Sequence, residues 1–368
     1  MQHSIIQLAT SGVQTLVPYQ PGKPISELER ELGLTKIVKL ASNENPLGPS
    51  EKVRQAMQAS FADLSRYPDG NGFALKAALA EKWLVDSKQI TLGNGSNEIL
   101  ELLARAFLST EHEVVFSQHA FAVYPLVTQA VGAQARVIPA VDYGHDLKAM
   151  LAAITEKTRL VFIANPNNPT GTYLTEGALS EFLAAVPEHV IVVLDEAYYE
   201  YVAKSDYPNS IAWLAQFPNL VVTRTFSKAH GLAGLRVGYG LSSPEIADIL
   251  NRVRQPFNNN SLALAAAAVA IKDSDYLAET IALNNAGMQF LTAEFSSLGL
   301  PWIESVGNFV AVDLQREASS INTALLHKGV IVRPVANYEM PNHLRISIGT
   351  AAENEFFINA LKAVLANV

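Results

Sequence analysis

Cysteine is absent from the 368 residues. That excludes disulfides, thiolate nucleophiles and cysteine-ligated zinc or iron–sulfur centres, and it suits a reducing compartment. Positive charge is also scarce. A formal net charge of −8 leaves no electrostatic footprint for nucleic acid, which ordinarily needs a basic face, so no such partner is expected. Long apolar runs are missing as well: the longest, around Leu262 to Ile271, falls well short of the roughly 20 residues that a bilayer span requires. Met1 to Leu16 has neither a basic start nor a continuous apolar stretch, so no secretory signal is expected and the chain reads as soluble and cytoplasmic. The eight histidines are scattered singly, without H-E-x-x-H spacing, and no metal is expected. No fixed-period repeat or low-complexity tract occurs.

What is present is a chain with half of its residues apolar, long enough for two domains or for one large domain with a cap. The first forty residues look like an irregular arm, because Pro18, Pro21, Gly22 and Pro24 oppose regular structure. From about residue 72 helix and strand alternate. Phe73 to Trp83, Ser96 to Phe107 and Glu176 to Ala185 read as helices. Val114 to Phe116, Ala135 to Pro139, Leu160 to Ala164, Val190 to Leu194 and Leu220 to Thr223 are apolar runs of the kind that form strands covered on both faces. Repeated crossovers of this kind imply an α/β fold with a mostly parallel sheet. After Pro244 two long helical stretches are expected. Strands at Phe309 to Asp313, Val330 to Arg333 and Leu344 to Ile348 follow, with a closing helix from Ala352. The resulting division is an arm at 1–40, a large domain at 41–260 and a smaller α+β domain at 261–368.

In open α/β sheets, ligands bind beyond the carboxyl ends of the strands, so the polar residues that directly follow the apolar runs matter most. Four such places stand out. The strand Val190 to Leu194 runs into Asp195-Glu196-Ala197-Tyr198, which is either a simple helix cap or a buried acid able to keep a heterocyclic nitrogen protonated. Asp195 and Glu196 point to opposite sides of extended backbone and so make a poor acid/base pair. The strand Leu220 to Thr223 leads into Arg224-Thr225-Phe226-Ser227-Lys228, with Gly231, Gly234 and Arg236 beyond. Lys228 is either a turn lysine or an amine tuned to react with a carbonyl; the hydroxyls at 225 and 227 and the guanidinium at 236 are donors suited to a phosphate dianion. Gly93-Asn94-Gly95-Ser96-Asn97-Glu98 is a capped turn or an anion site at a helix start. Glu98 stands where G-x-G-x-x-G needs its third glycine, which disfavours a dinucleotide fold. Asn165-Pro166-Asn167-Asn168-Pro169-Thr170-Gly171 is a turn that also offers a rigid amide at Asn168.

In chain order the set runs from the glycine turn through Asn168-Pro169-Thr170-Gly171 and Asp195-Glu196-Ala197-Tyr198 to Ser227-Lys228, with an arginine eight residues beyond, and it resembles the fold-type I aminotransferases, whose cofactor is pyridoxal 5′-phosphate. The likeness covers nearly the whole length. Val17-Pro18-Tyr19-Gln20-Pro21-Gly22-Lys23-Pro24, Leu40-Ala41-Ser42-Asn43-Glu44-Asn45-Pro46-Leu47-Gly48-Pro49 and Arg66-Tyr67-Pro68-Asp69 are similar to the histidinol-phosphate branch of that family. The resemblance implies that Lys228 holds the cofactor as a Schiff base and shuttles the proton. It implies that Asp195 pairs with the ring nitrogen, and that Tyr198 and Asn168 bond the ring's 3′ oxygen. Phe121 stacks on the ring. Gly95, Ser96, Asn97, Thr225, Ser227 and Arg236 hold the phosphate. Tyr67 reaches the phosphate in the neighbouring subunit of a homodimer. Arg345, with Arg333 and Tyr19, takes the substrate anion: a phosphate in one half reaction, a carboxylate of glutamate or 2-oxoglutarate in the other. An aromatic aminotransferase and a decarboxylase of a phosphorylated amino acid share most of these residues. His230, Tyr199 and Tyr201 are expected to serve packing, and Arg252 and Arg254 to form a solvated helix face.

Overall fold

The computed structural model describes residues 5–20 and 22–367, so Pro21 of the expected arm and the first four residues lie outside it. The arm is less irregular than its prolines suggest. Directly after Pro24, Ile25–Leu32 is a helix that ends on a left-handed Gly33 and buries Leu28. Proline rigidifies the approach to this helix and is tolerated at its start. Strand β1, Val38–Lys39, then pairs in parallel with β11, Val330–Ile331, and so ties the start of the chain to its end.

A seven-stranded sheet forms the main layer: β2 Ile90–Gly93, β3 Glu113–Ser117, β4 Gln134–Ile138, β5 Thr158–Ala164, β6 Ile191–Asp195, β7 Leu220–Thr225 and β8 Gly238–Leu241. Their spatial order is β2-β8-β7-β6-β5-β3-β4, with β8 antiparallel to both of its neighbours and the others running one way. β5, β6 and β7 sit centrally and are buried almost throughout, as strands covered on both faces must be. β4 departs from expectation. It lies at the sheet edge and is largely exposed, its Arg136 pairing with buried Glu113 of β3 at 2.6 Å. A charge on an edge strand discourages pairing with another chain.

Between Pro244 and the next strand the two expected helical stretches are three helices, Pro244–Val253, Ser261–Ala270 and Ser274–Ser297. Pro256 and the asparagines at 258 to 260 break the first from the second. Asn260 caps the second helix by accepting from the Ala263 N–H. Its alanines at 263, 266, 267 and 270 belong to the core of the large sheet. A second core gathers Val38 and Leu40 with Leu291, Phe295, Val310, Val312, Leu344, Ile346 and Phe357. The strands here are β9 Trp302–Ile303, β10 Phe309–Asp313, β12 Arg333–Val335 and β13 Met340–Ser347, in the antiparallel order β12-β13-β10-β9, with Ala351–Leu365 as the closing helix. Arg252 pairs with Asp248 at the surface as expected. Arg254 does not stay in solvent: it is half-buried and donates to Asn258 Oδ1 at 2.6 Å and to Gly70 O at 3.0 Å.

Candidate active site

The carboxyl ends of β2, β3, β5, β6 and β7 open onto one cavity of about 340 Å³. Ser96, Asn97, Phe121, Asn168, Asp195, Tyr198, Thr225, Ser227, Lys228, Arg236, Tyr19, Arg333 and Arg345 all line it. Gly95 and Tyr67 are not among the residues that line it.

Asp195 ends β6 with its side chain turned toward the cavity, where Tyr124 Oη donates to Oδ2 and Thr223 Oγ1 to Oδ1, each at 3.0 Å. Burial raises its carboxyl to about 6, against the opposing pull of these two donors. The next residue points the other way, as strand alternation requires. Glu196 is wholly buried behind the sheet, pairs with Arg224 at 2.7 Å and accepts from Ser210 Oγ at 2.5 Å. Arg224 in turn lies over the rings of Tyr199 at 3.4 Å and Trp83 at 4.3 Å, so Tyr199 serves packing. Tyr201 is buried too, and His230 packs beside Phe226.

Lys228, just past β7, turns its Nζ inward to donate to Ser42 O at 3.0 Å. Desolvation pulls the amine down to about 7, and the Arg345 and Arg236 guanidinium groups act in the same direction. An amine so placed has a substantial neutral fraction at neutral pH, as attack on a carbonyl requires. Arg345 on β13 is buried and donates to Asn168 Oδ1 and to Ala41 O, each at 2.6 Å. Its Nε is buried and has no hydrogen-bond partner among the described residues. Arg333 lies over the ring of Tyr19 at 5.6 Å, beside it.

At the opposite end, Arg236 Nη1 donates to Ser227 Oγ at 3.3 Å. Gly95 is left-handed, with φ 76°, and a side chain there would collide with Arg236 Nη2 at 2.4 Å. Gly238 is equally confined, since a Cβ would lie 2.4 Å from the Ser96 N. These glycines allow the start of helix Ser96–Phe107, with its unpaired N–H groups, to close against the guanidinium. The result is a cradle for a phosphate dianion, with a buried carboxylate and an amine deeper in the same cavity. That donor set fits a pyridine aldehyde phosphate.

Tyr124, Thr223 and Asn43 were not anticipated among the functional residues. The one available signal was Tyr124 standing one helical turn after Phe121, a ring it meets edge-on at 5.9 Å. Tyr67 is 83% exposed and stacks on Phe257 at 4.8 Å.

Residues 35–361 match the model of the family described as aminotransferase class I and II. The chain belongs to this family. A histidinol-phosphate aminotransferase 2 of Pseudomonas fluorescens Pf-5 is 65% identical over the full length of both chains. A histidinol-phosphate aminotransferase 1 of Idiomarina loihiensis is 58% identical over 98% of each. Among solved structures, the histidinol-phosphate aminotransferase of Sinorhizobium meliloti, in complex with pyridoxal 5′-phosphate, superposes with a TM-score of 0.90 at 32% identity, covering 97% of each chain. An aspartate aminotransferase variant of Thermus thermophilus, 22% identical over 97% of this chain and 98% of its own, shares the fold with a TM-score of 0.84.

Proposed function

We propose that this chain transfers an amino group between histidinol phosphate and 2-oxoglutarate in histidine biosynthesis, using pyridoxal 5′-phosphate. The observation that carries the proposal is one cavity holding an amine lowered to about 7, a buried carboxylate and arginines at both ends. The identity of 65% to a histidinol-phosphate aminotransferase supports the choice of substrate.

When bound, the cofactor supplies an aldehyde for the amino group and an electron-withdrawing ring that accepts charge from the substrate carbon. Arg236, Ser227, Thr225 and the helix start at Ser96 and Asn97 would hold its phosphate. Asp195 would keep the ring nitrogen protonated, with Tyr124 and Thr223 fixing the carboxylate's orientation. Phe121 would cover one face of the ring. Tyr198 Oη and Asn168 Nδ2 would bond the ring oxygen. Asn168 Oδ1 already accepts from Arg345, so the amide is oriented with its donor free. Lys228 Nζ would accept the proton from the substrate carbon, hold it and give it up again. Its lowered basicity suits that two-way transfer near neutral pH. Arg345 and Arg333 would receive a phosphate or a carboxylate in alternate half reactions, because a guanidinium fork matches both.

The active form is a homodimer in which Tyr67 of one subunit completes the phosphate site of the other, and it works in the cytoplasm on soluble metabolites. The unit boundary we favour falls within helix Ser274–Ser297, whose Leu291 and Phe295 enter the second core. No helix among the described residues is long and apolar enough to cross a membrane.

The test is a half-reaction titration of the cofactor-loaded protein, followed by visible absorbance, with histidinol phosphate, glutamate and phenylalanine. Histidinol phosphate and glutamate should convert the cofactor completely, and Lys228→Ala should abolish turnover. Full conversion by phenylalanine with none by histidinol phosphate would move the assignment to aromatic amino acids; release of carbon dioxide would move it to a decarboxylase.

A further inference from the structure

The strap Ala41-Ser42-Asn43 crosses between the two cores and touches three functional groups in three consecutive residues. Ala41 O accepts from Arg345, Ser42 O accepts from Lys228 Nζ at 3.0 Å, and Asn43 Nδ2 donates to Tyr198 Oη at 2.9 Å. Asn43 is 1% exposed and left-handed, with φ 54°, a conformation that asparagine tolerates far better than most side chains. Glycine would adopt the same backbone but would bring no amide.

The hydrogen-bond directions around Asn43 are fixed in turn. Its backbone N–H donates to Ser347 Oγ at 2.7 Å, and Ser347 Oγ donates back to Asn43 Oδ1 at 3.0 Å. The amide oxygen is thereby occupied, and the amide nitrogen, which only donates, is left to face Tyr198. Asn308 Nδ2 donates to Asn43 O at 3.1 Å and holds the turn from the other side. Tyr198 is 3% exposed, with its ring edge-on to Phe309 at 5.0 Å, so it has little freedom to rotate away.

We propose that Asn43 is a positioning residue that commits Tyr198 to donate its proton into the cavity, by occupying the phenol oxygen with an amide N–H. This rests on the cofactor reading above. The hydroxyl hydrogen has one useful direction left, toward the ring oxygen of the bound cofactor. A donor at that oxygen would stabilise its anionic form and so lower the pH at which the bound chromophore titrates. The titratable and charged groups that act on Tyr198 include Arg345, Asp195, Tyr338, Tyr124 and Tyr201, with Lys228 Nζ 5.7 Å from its ring centre. None of them changes in the variants below.

The test uses the cofactor-loaded protein and reads the pH midpoint of its visible absorbance change. Asn43→Gly keeps the left-handed turn and the Ser42 carbonyl but deletes the amide. Asn43→Asp keeps the shape and replaces the donor by an acceptor that captures the Tyr198 proton. Both should raise the midpoint by about one pH unit, the shift that a hydrogen bond to a charged oxygen supplies. Tyr198→Phe should raise it similarly, and Asn43→Gly added to Tyr198→Phe should raise it no further. An unchanged midpoint in both single variants, or fully additive shifts in the double, overturns the proposal. A wild-type protein with no visible cofactor band would instead sink the cofactor reading itself.

Discussion

Burial disfavours the charged form of both Asp195 and Lys228, raising the carboxyl and lowering the amine. The cost is measurable for Asp195. Its carboxyl sits at about 6 in the folded chain against an ordinary value of 3.8. Below 3.8 both folded and unfolded forms are protonated and the group is neutral in the balance. As pH rises from there through about 6 the unfolded chain ionises first, so the empty protein loses stability across that window and stays penalised above it. Asp195→Asn should therefore stabilise the cofactor-free protein at pH 7.5 by about 1–3 kcal/mol, while weakening its grip on the cofactor. Urea unfolding at pH 7.5 and near pH 3 checks this: the gain should be present in the first and gone in the second. An equal gain at both values would mean that packing, and not the buried charge, is responsible.

The strands β6 and β7 carry chemistry on one face and a buried ion pair on the other. Asp195, Thr223 and Thr225 belong to the cavity side, while Glu196 and Arg224 lock together behind it, each at most 1% exposed. Removing one partner strands the other charge in a dry interior. Glu196→Gln should therefore cost about 3–5 kcal/mol, whereas Glu196→Met with Arg224→Met should recover most of the loss. Equilibrium denaturation with an unchanged slope is the measurement. A single-variant loss below about 1 kcal/mol would show that water reaches the pair. Strand alternation made the opposite facing of Asp195 and Glu196 legible from the sequence, and the apolar runs of β5 to β7 were legible because both of their faces are covered. Edge strand β4 was harder, since its run has polar neighbours and no cover. The helix Ile25–Leu32 was hidden by the prolines before it. Tyr124, Thr223 and Asn43 were invisible for another reason: their partners lie 71, 28 and 155 residues away, and only the folded sheet and strap bring them together.

At the scale of the whole molecule, the two cores are joined by the pairing of Val38–Lys39 with Val330–Ile331 and by the Ala41–Asn43 strap, so the cavity lies where both units meet. Several large apolar side chains of the large unit are uncovered: Phe61, Leu64, Tyr67, Phe73 and Phe257 are between 46% and 83% exposed. Single exposed apolar residues are ordinary, but this set includes two stacked rings and spans a segment that the proposed dimer would bury. If Tyr67 serves the partner's phosphate site, a two-fold assembly must exchange it reciprocally. Tyr67→Ala and Lys228→Ala subunits should each be nearly inactive alone. After unfolding and refolding together in equal amounts, half of the dimers are mixed, and each mixed dimer contains one site with both residues intact. Activity should return to about a quarter of the wild-type value. Were Tyr67 to act within its own subunit, neither partner could rescue the other, and the refolded mixture would stay as inactive as its components.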